Sequence, residues 1–197
     1  MTTTPNAWVG CLGCYNNADL NGGWLDGTVA SDEMGKAVRL TTRPDSLSPN
    51  VNVTICARCG SDEFWVFDHE NYGGWLKGEC SPMEAQRIAE LIAAIEADED
   101  VSLAHVTAWN VACEIDVDEW DAPTKMAFQD AFRGEWESFS DYAYEQVTED
   151  EGFGKISEHL RGYFNHDAYA RDLAHDYTVV DLTKPDESRV VLVFTNA

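Results

Sequence analysis

The sequence predicts an α+β protein, on three observations. Short apolar runs between Asn/Gly turns fill residues 7–80, a strongly capped helical pattern starts at Ser81, and two Val-rich runs close the chain as a hairpin. With 197 residues, 44% of them hydrophobic, and seven Trp, the chain buries one sizeable core or several small ones.

The elements follow in order. Apolar runs at 7–14, 23–25, 51–56 and 64–67 read as strands, and the polar stretch from Asn16 through Gly23 reads as a loop. Residues 31–40 suggest a short helix, and residues 41–50, with two prolines and two serines, suggest irregular structure. The first domain is expected to close near Cys80. Ser81 as N-cap, Pro82 at the first helical position and Glu84 three residues after the cap then form a capping box. Ile88, Leu91, Ile92 and Ile95 repeat at helical spacing behind it. Asp100 or Ser102 caps a further helix through Leu103, Val106, Trp109 and Val111. The pattern stays helical to residue 151, with helices expected at 122–133 and 139–150 divided by Gly134. Short helices at 156–163 and 167–175 precede the hairpin of 177–182 and 189–195, which turns through Lys184-Pro185-Asp186-Glu187-Ser188.

Charge is the dominant compositional feature. Between Glu96 and Glu151 stand 17 acids against two bases, a net of −15 out of −23 for the whole chain. Self-repulsion on this scale costs stability, so folding alone does not account for the block. Aromatic residues inside it, among them Trp109, Trp120, Phe128 and Trp136, argue for a folded region rather than a disordered tail. A pI near 4.2 excludes nucleic-acid and anionic-membrane binding, which require Lys and Arg, and points to a basic partner. No apolar run reaches the roughly 20 residues of a membrane span, and the start MTTTPNAWVG lacks a signal-peptide pattern. A cytoplasmic location is expected.

Asp141, Glu145 and Glu149 fall at i, i+4 and i+8 on one face of the expected helix. Like charges at that spacing destabilise a helix by roughly 0.2–0.5 kcal/mol per pair. The stripe offers one carboxylate per ~6 Å of axis, against one phosphate per ~3.4 Å of a DNA strand. Any imitation of phosphate spacing therefore has to be built across several helices. A solvated acidic face is the plainest alternative meaning. Halophilic adaptation would spread acid evenly, yet residues 152–197 hold seven acids and five bases. An EF-hand fails because Asp116-Val117-Asp118-Glu119 lacks the loop glycine and distal glutamate.

Six cysteines include two CxxC pairs, Cys11/Cys14 and Cys56/Cys59. The second pair suggests half of a zinc site, with Cys80 and His69 as further ligands. The first pair lies in a strand-like run, where residues three apart point to opposite faces. Ordinary reduced thiols are the simpler reading. Catalytic patterns are missing: the chain has no glycine-rich phosphate loop, no GxSxG and no HExxH, and Asp68-His69-Glu70 reads as solvated side chains or a structural hydrogen bond rather than an acid/base pair.

Four segments in order resemble the ArdA antirestriction family. They are Trp8-Val9-Gly10-Cys11-Leu12-Gly13-Cys14-Tyr15-Asn16-Asn17 with Trp24-Leu25-Asp26; Asp62-Glu63-Phe64-Trp65-Val66-Phe67-Asp68-His69-Glu70; Ala127-Phe128-Gln129-Asp130-Ala131-Phe132-Arg133-Gly134-Glu135-Trp136; and His166-Asp167-Ala168-Tyr169-Ala170-Arg171-Asp172-Leu173. The Cys56-Ala57-Arg58-Cys59-Gly60 segment, Cys11 and Cys14 depart from the family pattern. The resemblance implies an elongated three-domain α+β homodimer, divided here into a small N-terminal domain (1–80), a central helical domain (81–125) and a C-terminal α+β domain (126–197).

It further implies a non-enzymatic DNA mimic, carried on plasmids, transposons or phages, that occupies the DNA-binding groove of a type I restriction-modification enzyme. No cofactor is expected. The carboxylates expected to form the surface are Asp62, Glu63, Asp68 and Glu70 in the first domain. In the second they are Asp98, Glu99, Asp100, Asp116, Asp118, Glu119 and Asp121. In the third they are Asp130, Glu135, Glu137, Asp141, Glu145, Glu149, Asp150 and Glu151. The alternative from another class is a zinc-binding acidic adaptor that recruits a basic protein.

Overall fold

The computed structural model describes residues 4–35, 40–44, 52–115, 117–149 and 151–196. The fold is α+β, with helices and small antiparallel sheets. Two compact units divide it, Met1–Leu103 and Ala104–Ala197.

The first unit is built on a three-stranded antiparallel sheet in which β1 (Asn6–Cys11) lies between β2 (Gly22–Asp26) and β5 (Phe64–Glu70). β1 continues directly into α1 (Leu12–Tyr15), and α2 (Ser31–Met34) follows β2. β3 (Leu40–Pro44) and β4 (Asn52–Cys56) form a separate antiparallel pair. Two expectations are corrected here. Leu40–Pro44 is strand, where Leu40 is expected to end a helix and 41–44 to be irregular, because it pairs residue for residue with β4. The first strand also stops at Cys11 instead of running to Cys14, and the chain turns helical. The rest of the expected irregular stretch, 45–50, and residues 36–39 of the expected first helix lie outside the described residues.

α3 (Pro82–Glu96) starts where its capping box predicts: Ser81 accepts a hydrogen bond from the Glu84 backbone N–H at 3.2 Å. Its Ala85, Ile88, Ala89 and Ile92 are buried with Ala7, Val9 and Val66 of the sheet, and with Met34 and Tyr72. Each such isoleucine contributes roughly 1.5–3 kcal/mol on leaving water. The Tyr72 hydroxyl donates to the Ala85 carbonyl at 3.2 Å, which ties the post-β5 loop to the first turn of α3.

The second unit opens with α4 (Leu103–Ala112), of which only Leu103 belongs to the first. α5 (Ala122–Ala131) then leads straight into β6 (Phe132–Trp136). Helices α6 (Phe139–Glu149), α7 (Glu151–Gly154), α8 (Glu158–Arg161) and α9 (His166–Leu173) precede β7 (Tyr177–Thr183) and β8 (Arg189–Thr195). The last two strands form the expected hairpin, with β8 at the centre of a β6-β8-β7 sheet. β6 corrects the expectation that the first of the two helices runs to residue 133 and that Gly134 only divides it from the next: α5 ends at Ala131 and the divide is itself a strand. Phe132 takes extended backbone at the end of α5, and Gly134 has a φ of 111°, a conformation open to glycine but strained for other residues. Phe128 stacks on Phe132 at that junction and Phe194 packs against both at a tilt, and Leu192, Val193 and Phe194 are fully buried. The helix expected at 156–163 is confined to Glu158–Arg161.

Candidate functional site

No described charged residue is buried, so the acids lie at the surface of their units. Local folding decides how each is presented. In β5, Val66 is buried while Asp68 and Glu70, two and four residues on, are exposed. An ideal strand would place all three on one face. The register against β1 slips between Trp8 and Val9, so Trp8 pairs with Asp68 but Val9 with Val66. This irregularity turns the acidic end of the strand outward. Asp62 and Glu63, just ahead of β5, are exposed as well.

On α6, Tyr142, Ala143 and Val147 are buried and Asp141, Glu145 and Glu149 are exposed, as the helical stripe predicts. Asp118, Glu119 and Asp130 line one open groove of the second unit together with Glu114. Asp98, Glu99 and Asp100 form the turn after α3, where Asp98 accepts from the Asp100 backbone N–H at 3.1 Å. Asp116 and Asp150 lie outside the described residues. So does the side chain of Glu151.

The acids divide by what holds them. Asp121 is the N-cap of α5, accepting from the Thr124 N–H at 2.9 Å, and bonding to Thr124 lowers its pKa. Glu135 forms an ion pair with Lys184 and lies 3.4 Å from His105 Nε2. The Lys184 hydrogen bond leads in lowering the Glu135 pKa. Asp141 belongs to a reciprocal cap in which Ser138 Oγ donates to its carboxylate at 2.6 Å and accepts from its N–H at 3.3 Å. By contrast, the carboxylates of Asp62, Glu63, Glu70, Glu99, Glu119, Asp130, Glu137, Glu145 and Glu149 form no ion pair or hydrogen bond among the described residues. These nine can meet a cationic partner without breaking a bond to any described residue.

A second grouping lies in the first unit, where Sγ atoms of Cys11, Cys14, Cys56 and Cys59 stand within 4.8 Å of one another. Sequence spacing missed this combination because it read Cys11 to Cys14 as strand. In α1 that spacing becomes one helical turn, which brings residues three apart to one side. The ligands expected beside Cys56 and Cys59 are elsewhere. Cys80 is buried in the sheet–helix core, where burial pushes its thiol up to about 11, and the His69 ring packs edge-on against Tyr72.

Comparison with known families adds one finding. The family model described as antirestriction protein (ArdA) matches residues 7–184. No curated protein matches the chain.

Proposed function

The chain belongs to the ArdA antirestriction family, and from that premise we propose a non-catalytic inhibitor that mimics B-form DNA and occupies the DNA-binding groove of a type I restriction-modification enzyme. The single observation that carries the reading is the set of nine exposed carboxylates without partners among the described residues. An acid retained only for fold stability would be expected to cap, pair or bridge, as Asp121 and Glu135 do. Glu145 and Glu149, at i, i+4 spacing on α6, cost helix stability and form no bond that offsets it among the described residues. They suit a surface whose complement is the row of Lys and Arg side chains that otherwise grips phosphate.

On this reading the protein is an elongated homodimer of three-domain chains, acting in the cytoplasm of a bacterial host on behalf of a mobile element. Dimerisation doubles the acidic surface and lets it span more duplex than one block of charge replaces. At one charge per ~1.7 Å of duplex, a net −15 stands for roughly 25 Å of DNA.

Competition tests it. A labelled duplex bound to a type I methyltransferase should be displaced by the protein at low salt in a stoichiometric titration. Failure to displace it at low salt overturns the proposal.

A further inference from the structure

We propose that Cys11, Cys14, Cys56 and Cys59 bind one zinc ion as a structural tetrathiolate centre that ties the β1–α1 corner to the turn after β4. The assignment rests on the geometry of the first unit and not on the inhibitor reading.

Cys11 Sγ lies 3.5 Å from Cys59 Sγ, and Cys14 Sγ lies 3.7 Å from Cys56 Sγ. Four sulfurs at about 2.3 Å from a tetrahedral zinc are separated by ~3.8 Å. The sulfurs thus already stand near ligand positions, at separations far above the ~2.05 Å of a disulfide. Both pairs owe this to tight turns. Cys11 is the N-cap of α1 and Cys14 sits one helical turn on. In the second turn, the Cys56 carbonyl accepts from the Gly60 N–H at 2.9 Å, and its N–H donates to the Ser61 carbonyl at 2.7 Å. Gly60, with a φ of 76°, supplies the left-handed residue that closes it.

The two turns are also fastened to each other. Arg58 pairs with Asp19 at 2.7 Å, and the Leu12 N–H donates to the Glu63 carbonyl at 3.0 Å. Thiols serving only as small core residues would sit among aliphatic side chains. Here three buried sulfurs and the exposed Cys59 converge on one another, with Phe64 as the apolar neighbour of the buried three. Asn21 Nδ2 donates to Cys56 Sγ at 3.2 Å, the kind of outer contact that orients a metal ligand and supports thiolate charge.

Loading is a proton exchange without redox change. Four S–H bonds give way to four Zn–S bonds, and the protons pass to solvent. The product is a formal dianion, so zinc held this way keeps negative charge on an already acidic unit. Through the Leu12–Glu63 bond it also sets the start of β5, the strand that presents Asp68 and Glu70.

The test is metal analysis of the full chain, purified without added zinc and without chelators. One zinc per chain is expected, falling to none in Cys56→Ser/Cys59→Ser and staying at one in His69→Ala. Because the double variant could misfold, wild-type protein is also exchanged with cobalt, and the visible absorption of tetrahedral cobalt tetrathiolate is expected. Folded wild-type protein that carries no zinc and shows no such spectrum overturns the proposal. An intact mass showing disulfides among these four residues in protein prepared under reducing conditions overturns it equally, as does loss of zinc in His69→Ala with the fold intact.

Discussion

A β-carbon placed on Gly13 would stand 2.7 Å from the Ser61 β-carbon and 3.1 Å from Cys59 Sγ, so the two cysteine turns meet with no side-chain room at this point. Gly13→Ala is expected to force them apart and to lower stability by roughly 1–3 kcal/mol, the usual cost of overpacking. Urea unfolding checks this, with Gly162→Ala as control. Gly162 has right-handed backbone and open space around its α-carbon, so alanine there should be neutral or stabilising by about 0.4–1 kcal/mol.

The three acids of the α6 stripe should not behave alike. Asp141 shares a reciprocal cap with Ser138, whereas the carboxylates of Glu145 and Glu149 have no partner among the described residues. Ser138→Ala should destabilise by about 0.5–2 kcal/mol through loss of that cap. Glu145→Gln/Glu149→Gln should do the opposite, stabilising α6 by roughly 0.4–1 kcal/mol as two like-charge pairs, Asp141/Glu145 and Glu145/Glu149, disappear. The same double variant should inhibit restriction more weakly. Unchanged inhibition with raised stability would remove this face from the proposed interface.

The contrast between these acids marks how far sequence reaches. The Ser81 capping box, the β7–β8 hairpin and the α6 stripe were legible, because each depends on residues close together in the chain. β6 was not, since Gly134 reads as a break between two helices and nothing nearby in the chain marks Phe132–Trp136 as a strand. Pairing with β8, some 60 residues later, decides that segment, and no local pattern carries it. The acidic surface was legible by residue type and its internal divisions were not. Glu135 pairs with Lys184 only once the hairpin is in place. The cysteine grouping had the right residues in view, but a strand that ends one residue into the CxxC changes which sulfurs meet.

Acid stability should show the signature of the internally bonded carboxylates. Bonding to Thr124 lowers the Asp121 pKa from its ordinary 3.8, and bonding to Lys184 lowers that of Glu135 from 4.5. A carboxyl held below its unfolded value contributes stability that is complete above that value and is lost as pH falls through the folded one. Asp121→Asn and Lys184→Met should therefore be less stable than wild type at pH 7. Each difference should shrink as pH falls below 4.5 for Lys184→Met and below 3.8 for Asp121→Asn, and vanish in stronger acid. Urea midpoints measured across that range decide it, and a difference that persists in strong acid would mean the groups act through packing instead.

Salt should move stability and inhibition in opposite directions. Between low salt and 1 M the Debye length shrinks to about 3 Å, which screens repulsion among acids on the same unit and should raise the urea midpoint. The proposed contact with Lys and Arg is screened by the same ions. If it replaces about six phosphate contacts, affinity should drop by up to ~10³-fold between 50 and 200 mM, the scale set by DNA itself. A protein surface carries fewer condensed counterions than a duplex, so the slope should be shallower than that of the DNA it displaces. Parallel titrations of inhibitor and duplex on one methyltransferase check this. Inhibition that holds constant while stability rises would mean the carboxylates are spectators, and that apolar contacts carry the binding.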